Sequence, residues 1–266
     1  MYGYLNSMNR TFAIKSYLLY LLRARHKKGY GIHSPFVFNL LNSVFYEQSP
    51  YYCYESIEDL REKLKSSKDL IDVTDHGTGG YTKRRICDIA RKSVKRTQYA
   101  QLLFRLANCN RSSSILELGT CLGLTTLYLS QVNSNGKVVT IDADENLCRL
   151  ALNNFKELSA DNIELCKGKV DDVLPGILEK LPSLDFVFFD ANHTREATLK
   201  YFEMCLPKTH KSSIFVFDDI YRSQEMSLAW QQIIQHPDVR LSIDIFEMGI
   251  VFFNTDLFKQ DYIVAF

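Results

Sequence analysis

SILELGTCLGLTTLYLS, residues 114–130, decides how the chain is read. Ile115 and Leu116 begin an apolar run that delivers an acid, Glu117, then Gly119 and Gly123, then a helical pattern. Such a run is a buried strand turning sharply into a helix, with glycine where the backbone must turn or approach a ligand. Working outward, a second apolar run, Val138-Val139-Thr140-Ile141, stops on Asp142. An acid at the tip of a second strand can accept hydrogen bonds from both hydroxyls of a ribose. The pair therefore reads as a nucleoside-binding unit. Its glycines are spaced E-x-G-x-x-x-G rather than G-x-G-x-x-G, with Thr120 and Cys121 where a dinucleotide fold places a residue and its second glycine. The loop also lacks the phosphate-binding lysine of a P-loop. This spacing disfavours a nicotinamide-dependent oxidoreductase and favours a nucleoside without a pyrophosphate.

Downstream, apolar runs at 138–141, 163–166, 184–189 and 214–217 alternate with helical patterns at about 145–158, 172–181, 194–205 and 224–235. Continuous apolar strands alternating with helices specify a parallel sheet covered on both faces. Residues 240–246, a Glu247-Met248-Gly249 turn and residues 250–254 read as an antiparallel hairpin. The expected fold is α/β, with five parallel strands and a C-terminal hairpin making seven, over residues 97–266. Residues 1–96 show no such alternation and read as a helical cap over the carboxyl edge of the sheet. Helices are expected there at about 9–27, 34–45 and 57–65, with a fourth at 84–107 running into the domain. A polar, glycine-bearing loop, residues 75–81, precedes the fourth.

Net charge is +1, but 19 of the 32 basic residues and only 9 of the 31 acidic ones precede residue 112. A basic appendage docking on an acidic core accounts for this, as does an anionic substrate held over the core by the appendage. Seven singly scattered cysteines with no CxxC pair argue against a disulfide framework or a zinc site, and fit a reducing cytoplasm. The apolar patch at 17–22, flanked by Arg10, Lys15, Arg23 and Arg25, is far shorter than a membrane span and reads as an amphipathic helix, with attachment to a membrane surface as the lesser alternative. The basic run Lys83-Arg84-Arg85, continued by Arg91, Lys92, Lys95 and Arg96, has only Tyr81 and Tyr99 for base stacking. Nucleic acid is thus the lesser alternative to a small-molecule partner. The aromatic-rich N-terminal helices offer a surface for a homodimer.

Three downstream strands end in acids: Asp142, Asp190, and the pair Asp218-Asp219. One such acid is expected to cap a helix. As hard oxygen ligands, Asp190, Asp218 and Asp219 are suited to Mg²⁺ or another divalent cation. Asp190 is followed by Ala191, Asn192 and His193, in FFDANH.

The E-x-G-x-x-x-G stretch resembles motif I of class I S-adenosylmethionine-dependent methyltransferases. VTIDAD, GKVDDVLP, DFVFFDANH and FVFDDI, in this order, look like the catechol and caffeoyl-CoA O-methyltransferase branch, over roughly 97–254. That resemblance implies a Rossmann-like methyltransferase sheet, S-adenosylmethionine as cofactor and methylation of a small-molecule hydroxyl. It implies Glu117, Gly119, Thr120, Gly123 and Thr125 around the cofactor's methionine, Asp142 at its ribose, and Val170 with Asp171 beside adenine. It further implies Asp190, Asp218 and Asp219 at a divalent cation, Asp190 also reaching the cofactor's amino group, and His193 as base. Two positions depart from the branch: Asp219 stands where it has Asn, and His193 where it has Lys. Those departures keep a non-catalytic cofactor-binding protein as an alternative. GIHSPFVFNLL and RRICDIARKSVKRTQYAQLLFRL look like the N-terminal part of Bacteroidetes-type methyltransferases of unassigned substrate, with His33 and His76 as candidates for the rim of the site.

Overall fold

The computed structural model describes residues 7–24, 29–74 and 80–266. His76 and the rest of the loop at 75–79 lie outside the described residues, as do Arg25 and Lys27. The chain divides into two units, residues 49–177 and residues 3–48 with 178–266. The first ninety-six residues are thus shared between the two. In chain order, α1 (Ser7–Arg23), α2 (Pro35–Leu40) and a π-helical turn (Leu41–Phe45) belong to the second unit.

The first unit begins with α3 (Tyr54–Ser66), β1 (Leu70–Thr74), β2 (Tyr81–Arg85), α4 (Ile86–Lys92) and α5 (Thr97–Cys109). There follow β3 (Ser114–Leu118), α6 (Leu124–Ser130), β4 (Lys137–Asp142), α7 (Glu145–Glu157), β5 (Ile163–Lys167) and α8 (Val170–Lys180). Strands β3, β4 and β5 run parallel in that order, with Leu118 opposite Ile141 and Asp142 opposite Lys167. Helices α3, α5 and α6 share one apolar cluster, including Ile57, Phe104, Leu127 and Tyr128. Glu58 ties it together, accepting from Arg61, Thr97 and Tyr128 at 2.6–3.0 Å. The expected helix at 84–107 is instead the end of β2 followed by α4 and α5. It breaks at 93–96, where the buried Arg61 guanidinium takes the Lys95 carbonyl at 2.9 Å. A carbonyl drawn to a side chain is lost to a helical ladder.

The second unit continues with β6 (Phe186–Phe189), α9 (Arg195–Cys205), β7 (Ile214–Asp218), α10 (Gln224–Gln235), β8 (Leu241–Asp244), β9 (Met248–Phe252) and β10 (Gln260–Ile263). Its strand order is β6-β7-β9-β8-β10. β6 and β7 are parallel, β9 is antiparallel to both β7 and β8, and β10 runs parallel to β8. All seven expected strands are present; β10 is one more, and β1 with β2 adds two in the region expected to be helical. Every residue of β6 and β7 is buried, as continuous apolar strands require, and Phe189 stacks on Phe217 at 4.4 Å.

The hairpin turns earlier than expected, at 245–247, because the Asp244 carboxylate accepts the Phe246 N–H at 2.8 Å and Phe246 takes a positive φ of 69°. Gly249 is a strand residue: a Cβ there would come within 2.6 Å of the Trp230 ring. At the far end, Tyr20 of α1 donates to the Val264 carbonyl and Tyr46 to that of Ala265, both at 2.6 Å. Phe45 meets Phe266 edge-on. The N-terminal helices are therefore fastened to the last residues of the chain. Among the described residues, no helix is long and apolar enough to cross a membrane.

Candidate functional site

In the first unit the candidate residues lie in the turn between β3 and α6 and the loop after β4. The Gly119 and Thr120 N–H groups both donate to the Ile141 carbonyl, at 2.9 and 3.2 Å. Gly123 has φ 76° and donates to the Thr120 carbonyl at 2.8 Å; a Cβ there would lie 2.4 Å from the Phe155 ring. Glycine is required at 123 by conformation and by space together.

Between them Cys121, at φ 51°, donates its N–H to Asp142 Oδ2 at 2.8 Å. The other oxygen of Asp142 accepts the Asp144 N–H at 2.9 Å, and its backbone carbonyl accepts from Gly168 at 2.9 Å. Asp142 thus joins the turn after β3 to its own loop and to the approach of α8. Charge-assisted bonds of this kind fix a carboxylate in place.

Asp144, which the sequence reading passed over, supports this arrangement. It caps α7 through the Leu147 N–H at 2.8 Å and accepts the Thr74 N–H of β1 at 2.5 Å. Burial pushes its carboxyl upward, but these N–H donors outweigh burial and hold it below the usual carboxylate range. The signal was available as an N-cap aspartate directly before Glu145 in IDADE.

Glu117 is fully buried. One oxygen accepts from Thr126 and, at 2.7 Å, from Thr140, whose hydroxyl lies 2.6 Å from that of Thr120. With Thr140 donating to Glu117, Thr120 donates to Thr140. Burial pushes the Glu117 carboxyl up to about 7, the two threonines pull it down, and the charge of Asp142 adds to the rise. Its Oε1 is buried with no partner, an unfilled acceptor beside the glycine turn. Thr125 is buried in the first turn of α6, while Val170 (buried) and Asp171 (exposed) open α8.

In the second unit the acids at the ends of β6 and β7 come together with the histidine. Ligand atoms of Asp190, His193 and Asp218 all lie within 4.8 Å of one another. His193 Nε2 is 3.4 Å from Asp190 Oδ1. Asp218 is 1% exposed, whereas Asp190 and His193 are half-buried. Asn192 and His193 hold φ values of 61° and 41°, and the His193 N–H donates to the Ala191 carbonyl at 2.7 Å. Left-handed non-glycine residues are costly, though Asn and His adopt them more readily than most, and they cluster at functional sites. Asn192 bonds Tyr201 at 2.5 Å, which anchors that strained turn to α9.

Asp219 also has a positive φ, 53°, and its N–H donates to the Glu247 carbonyl at 2.8 Å. Its carboxylate faces Arg222 at 3.2 Å. The acids and histidine that the structure groups are thus Asp190, His193 and Asp218, while Asp219 faces Arg222. Arg222 gave no sequence signal beyond lying three residues from an acid. His33 is exposed near the start of α2.

Residues 116–220 match a family model described as a methyltransferase domain. The catechol O-methyltransferase of Niastella koreensis is 26% identical over 133 residues, 49% of this chain and 58% of that relative. The catechol O-methyltransferase of Mycobacterium tuberculosis is 27% identical over 127 residues, 47% of this chain and 56% of its own length. The chain thus spans a little over half the length of these curated relatives. Among solved structures, the O-methyltransferase from Bacillus cereus in complex with SAH is similar at a TM-score of 0.54 and 21% identity, covering 81% of this chain and 96% of that one. With strands, turn and acids in the order described, the fold is that of the solved O-methyltransferase, and residues 116–220 are similar to a methyltransferase domain.

Proposed function

We propose that this protein is an S-adenosylmethionine-dependent O-methyltransferase acting on a hydroxyl of a small molecule. The observation that carries the reading is the Asp142 carboxylate, held by backbone N–H groups of Cys121 and Asp144 at the tip of β4. A ribose diol needs such an acid, and the glycine turn beside it lacks both the spacing and the lysine that a pyrophosphate calls for. The unpartnered Glu117 Oε1 fits a cationic ligand, because a positive charge nearby would offset the cost of a buried carboxylate. Glu117, Gly119, Thr120, Gly123 and Thr125 would hold the methionine portion, with Val170 and Asp171 beside adenine. When bound, the cofactor supplies an electrophilic methyl carbon on a sulfonium.

The protein's task is then to align and deprotonate the acceptor. With the methyl group supplied in that form, His193 would take the proton that the acceptor hydroxyl gives up. Asp190, 3.4 Å away, stabilises the charge that the ring gains. Asp190 and Asp218 offer oxygens to a divalent cation, which would orient a coordinated hydroxyl and make it more acidic. The charge of Asp219 is balanced by Arg222. A small acceptor is favoured over RNA because the basic helix α4 carries no interleaved aromatics.

Calorimetry with S-adenosylmethionine, S-adenosylhomocysteine and NAD tests the reading. The first two should bind, and Asp142→Ala should weaken both. Binding of NAD in their place, or of none of the three, would overturn it. Catechol turnover with Mg²⁺ and with a chelator then reports on the cation.

A further inference from the structure

A cleft of about 400 Å³ in the second unit is lined by one face of α1 and one face of α10. Phe12, Lys15, Ser16, Leu19, Tyr20 and Arg23 recur at helical spacing, so they share a side of α1. Gln224, Ser227 and Gln231 do the same on α10. The wall between them is Tyr221, three residues beyond Asp218. Tyr221 is fixed, since its hydroxyl donates to Asp244 at 2.6 Å and its ring stacks on Phe246 at 5.2 Å. Tyr20 is likewise fixed through its hydroxyl bond to the Val264 carbonyl.

The charge in this cleft is one-sided. Its lining holds two cations, two glutamines, two serines and no acid. Both cations are exposed, and among the described residues neither forms a salt bridge. Arg222, close by in sequence, is matched by Asp219, so the imbalance is particular to Lys15 and Arg23. These two stand eight residues apart on α1, roughly 12 Å along its axis. Arg23 lies near enough to Tyr221 to act on its phenol electrostatically. The cleft is thus elongated, with cations toward both ends, neutral hydrogen-bonding groups on one side and Phe12 and Leu19 for an apolar body. Its volume suits a small molecule rather than a polymer.

Resting on the methyltransferase reading above, we infer that the cleft between α1 and α10 recognises the anionic group of the acceptor, with Arg23 and Lys15 as its specificity-determining residues. The acceptor class is then a phenolic or catecholic acid: an apolar ring carrying a hydroxyl and, at a distance, a carboxylate or similar anion. Guanidinium suits that task because it presents several donors in a planar fork matching a carboxylate.

The test compares 3,4-dihydroxyphenylacetate with 4-methylcatechol, which lacks the carboxylate. Wild-type kcat/KM should favour the acid at least tenfold. Arg23→Gln should abolish that preference through KM, leaving kcat on 4-methylcatechol within twofold. Lys15→Gln should act in the same direction but less, Arg23→Lys should retain part of the preference, and Lys180→Gln, a charge control on α8, should leave it intact. The same preference in wild type and Arg23→Gln, or none in wild type, overturns the inference. Calorimetry with 3,4-dihydroxyphenylacetate and saturating S-adenosylhomocysteine gives a readout independent of turnover. Wild type should bind the acid, Arg23→Gln should bind it at least tenfold more weakly, and no binding to wild type would also overturn the inference. Failure of S-adenosylmethionine itself to bind would instead overturn the methyltransferase reading, so the two failures are distinguishable.

Discussion

The first unit builds its candidate site from backbone, whereas the second builds its own from side chains. Around Asp142, main-chain N–H groups of Cys121 and Asp144 hold the carboxylate, and glycines carry two of the positive φ values in the turn. Around Asp190 the chain places Asn192, His193 and Asp219 in left-handed conformations without glycine. Its polar groups are two carboxylates and an imidazole. A main-chain cradle is indifferent to most substitutions outside its glycines, and it suits a ligand that never changes. A cluster of side chains can be altered one residue at a time, as expected where the acceptor and its chemistry vary. The unlike positions His193 and Asp219 both fall in the second region.

The largest effect should come from the second region. His193→Ala should lower kcat 10²- to 10⁴-fold, the range for losing a general base, while calorimetric affinity for S-adenosylmethionine stays nearly constant. An equal loss of both would mean that the two regions are not separable, and an unchanged kcat across pH would remove the base from the mechanism.

The next effect belongs to the first region and concerns stability. Glu117 has a folded pKa of about 7, above that of an exposed glutamate. Between the unfolded and folded values the unfolded chain is ionised while the folded one keeps its proton. Stability of the cofactor-free protein should therefore be fully present below the unfolded pKa and fall as pH rises from about 4.5 toward 7. A shift of this size corresponds to roughly 3 kcal/mol. Glu117→Gln, which does not titrate, should flatten that slope in denaturant unfolding measured from pH 5 to 8. A slope unchanged by the substitution would show that other groups govern it.

What could be read in advance follows the same division. The apolar run into Glu117, the glycines and Asp142 declared themselves because strand, turn and acid are adjacent in sequence and each obeys a local rule. Asp190, His193 and Asp218 were legible as strand-end residues, since parallel strands bring their carboxyl ends to one edge. The surroundings of Asp219 were not, because its pairing with Arg222 depends on a left-handed residue at 219 that no local signal announces. Met248 and Gly249 looked like a turn because glycine usually marks one; here Trp230 of α10 requires it in a strand. The exposed β1–β2 ladder and β10 lack the apolar continuity that marked the buried strands. Two properties of α1 were not legible: its tie to the chain end through Tyr20, and the cleft that its Lys15 and Arg23 line. Both depend on partners more than two hundred residues away.

The smallest effect is also the sharpest probe of the comparison. Asp142→Asn keeps the size of the side chain and one acceptor oxygen, but replaces the other oxygen with a donor. Cys121 and Asp144 each direct an N–H at this group, so one of them must then face an amide N–H. If a main-chain cradle fixes the ribose acid, the mismatch should loosen the turn and weaken S-adenosylmethionine binding about tenfold, or roughly 1.4 kcal/mol. The preference for 3,4-dihydroxyphenylacetate over 4-methylcatechol should not move, because that choice is made by side chains of the other unit. A change in the acceptor preference with cofactor affinity intact would reverse the assignment of backbone to cofactor and side chain to acceptor. Affinity lost with the preference preserved is the result that the hydrogen bonds of Asp142 require.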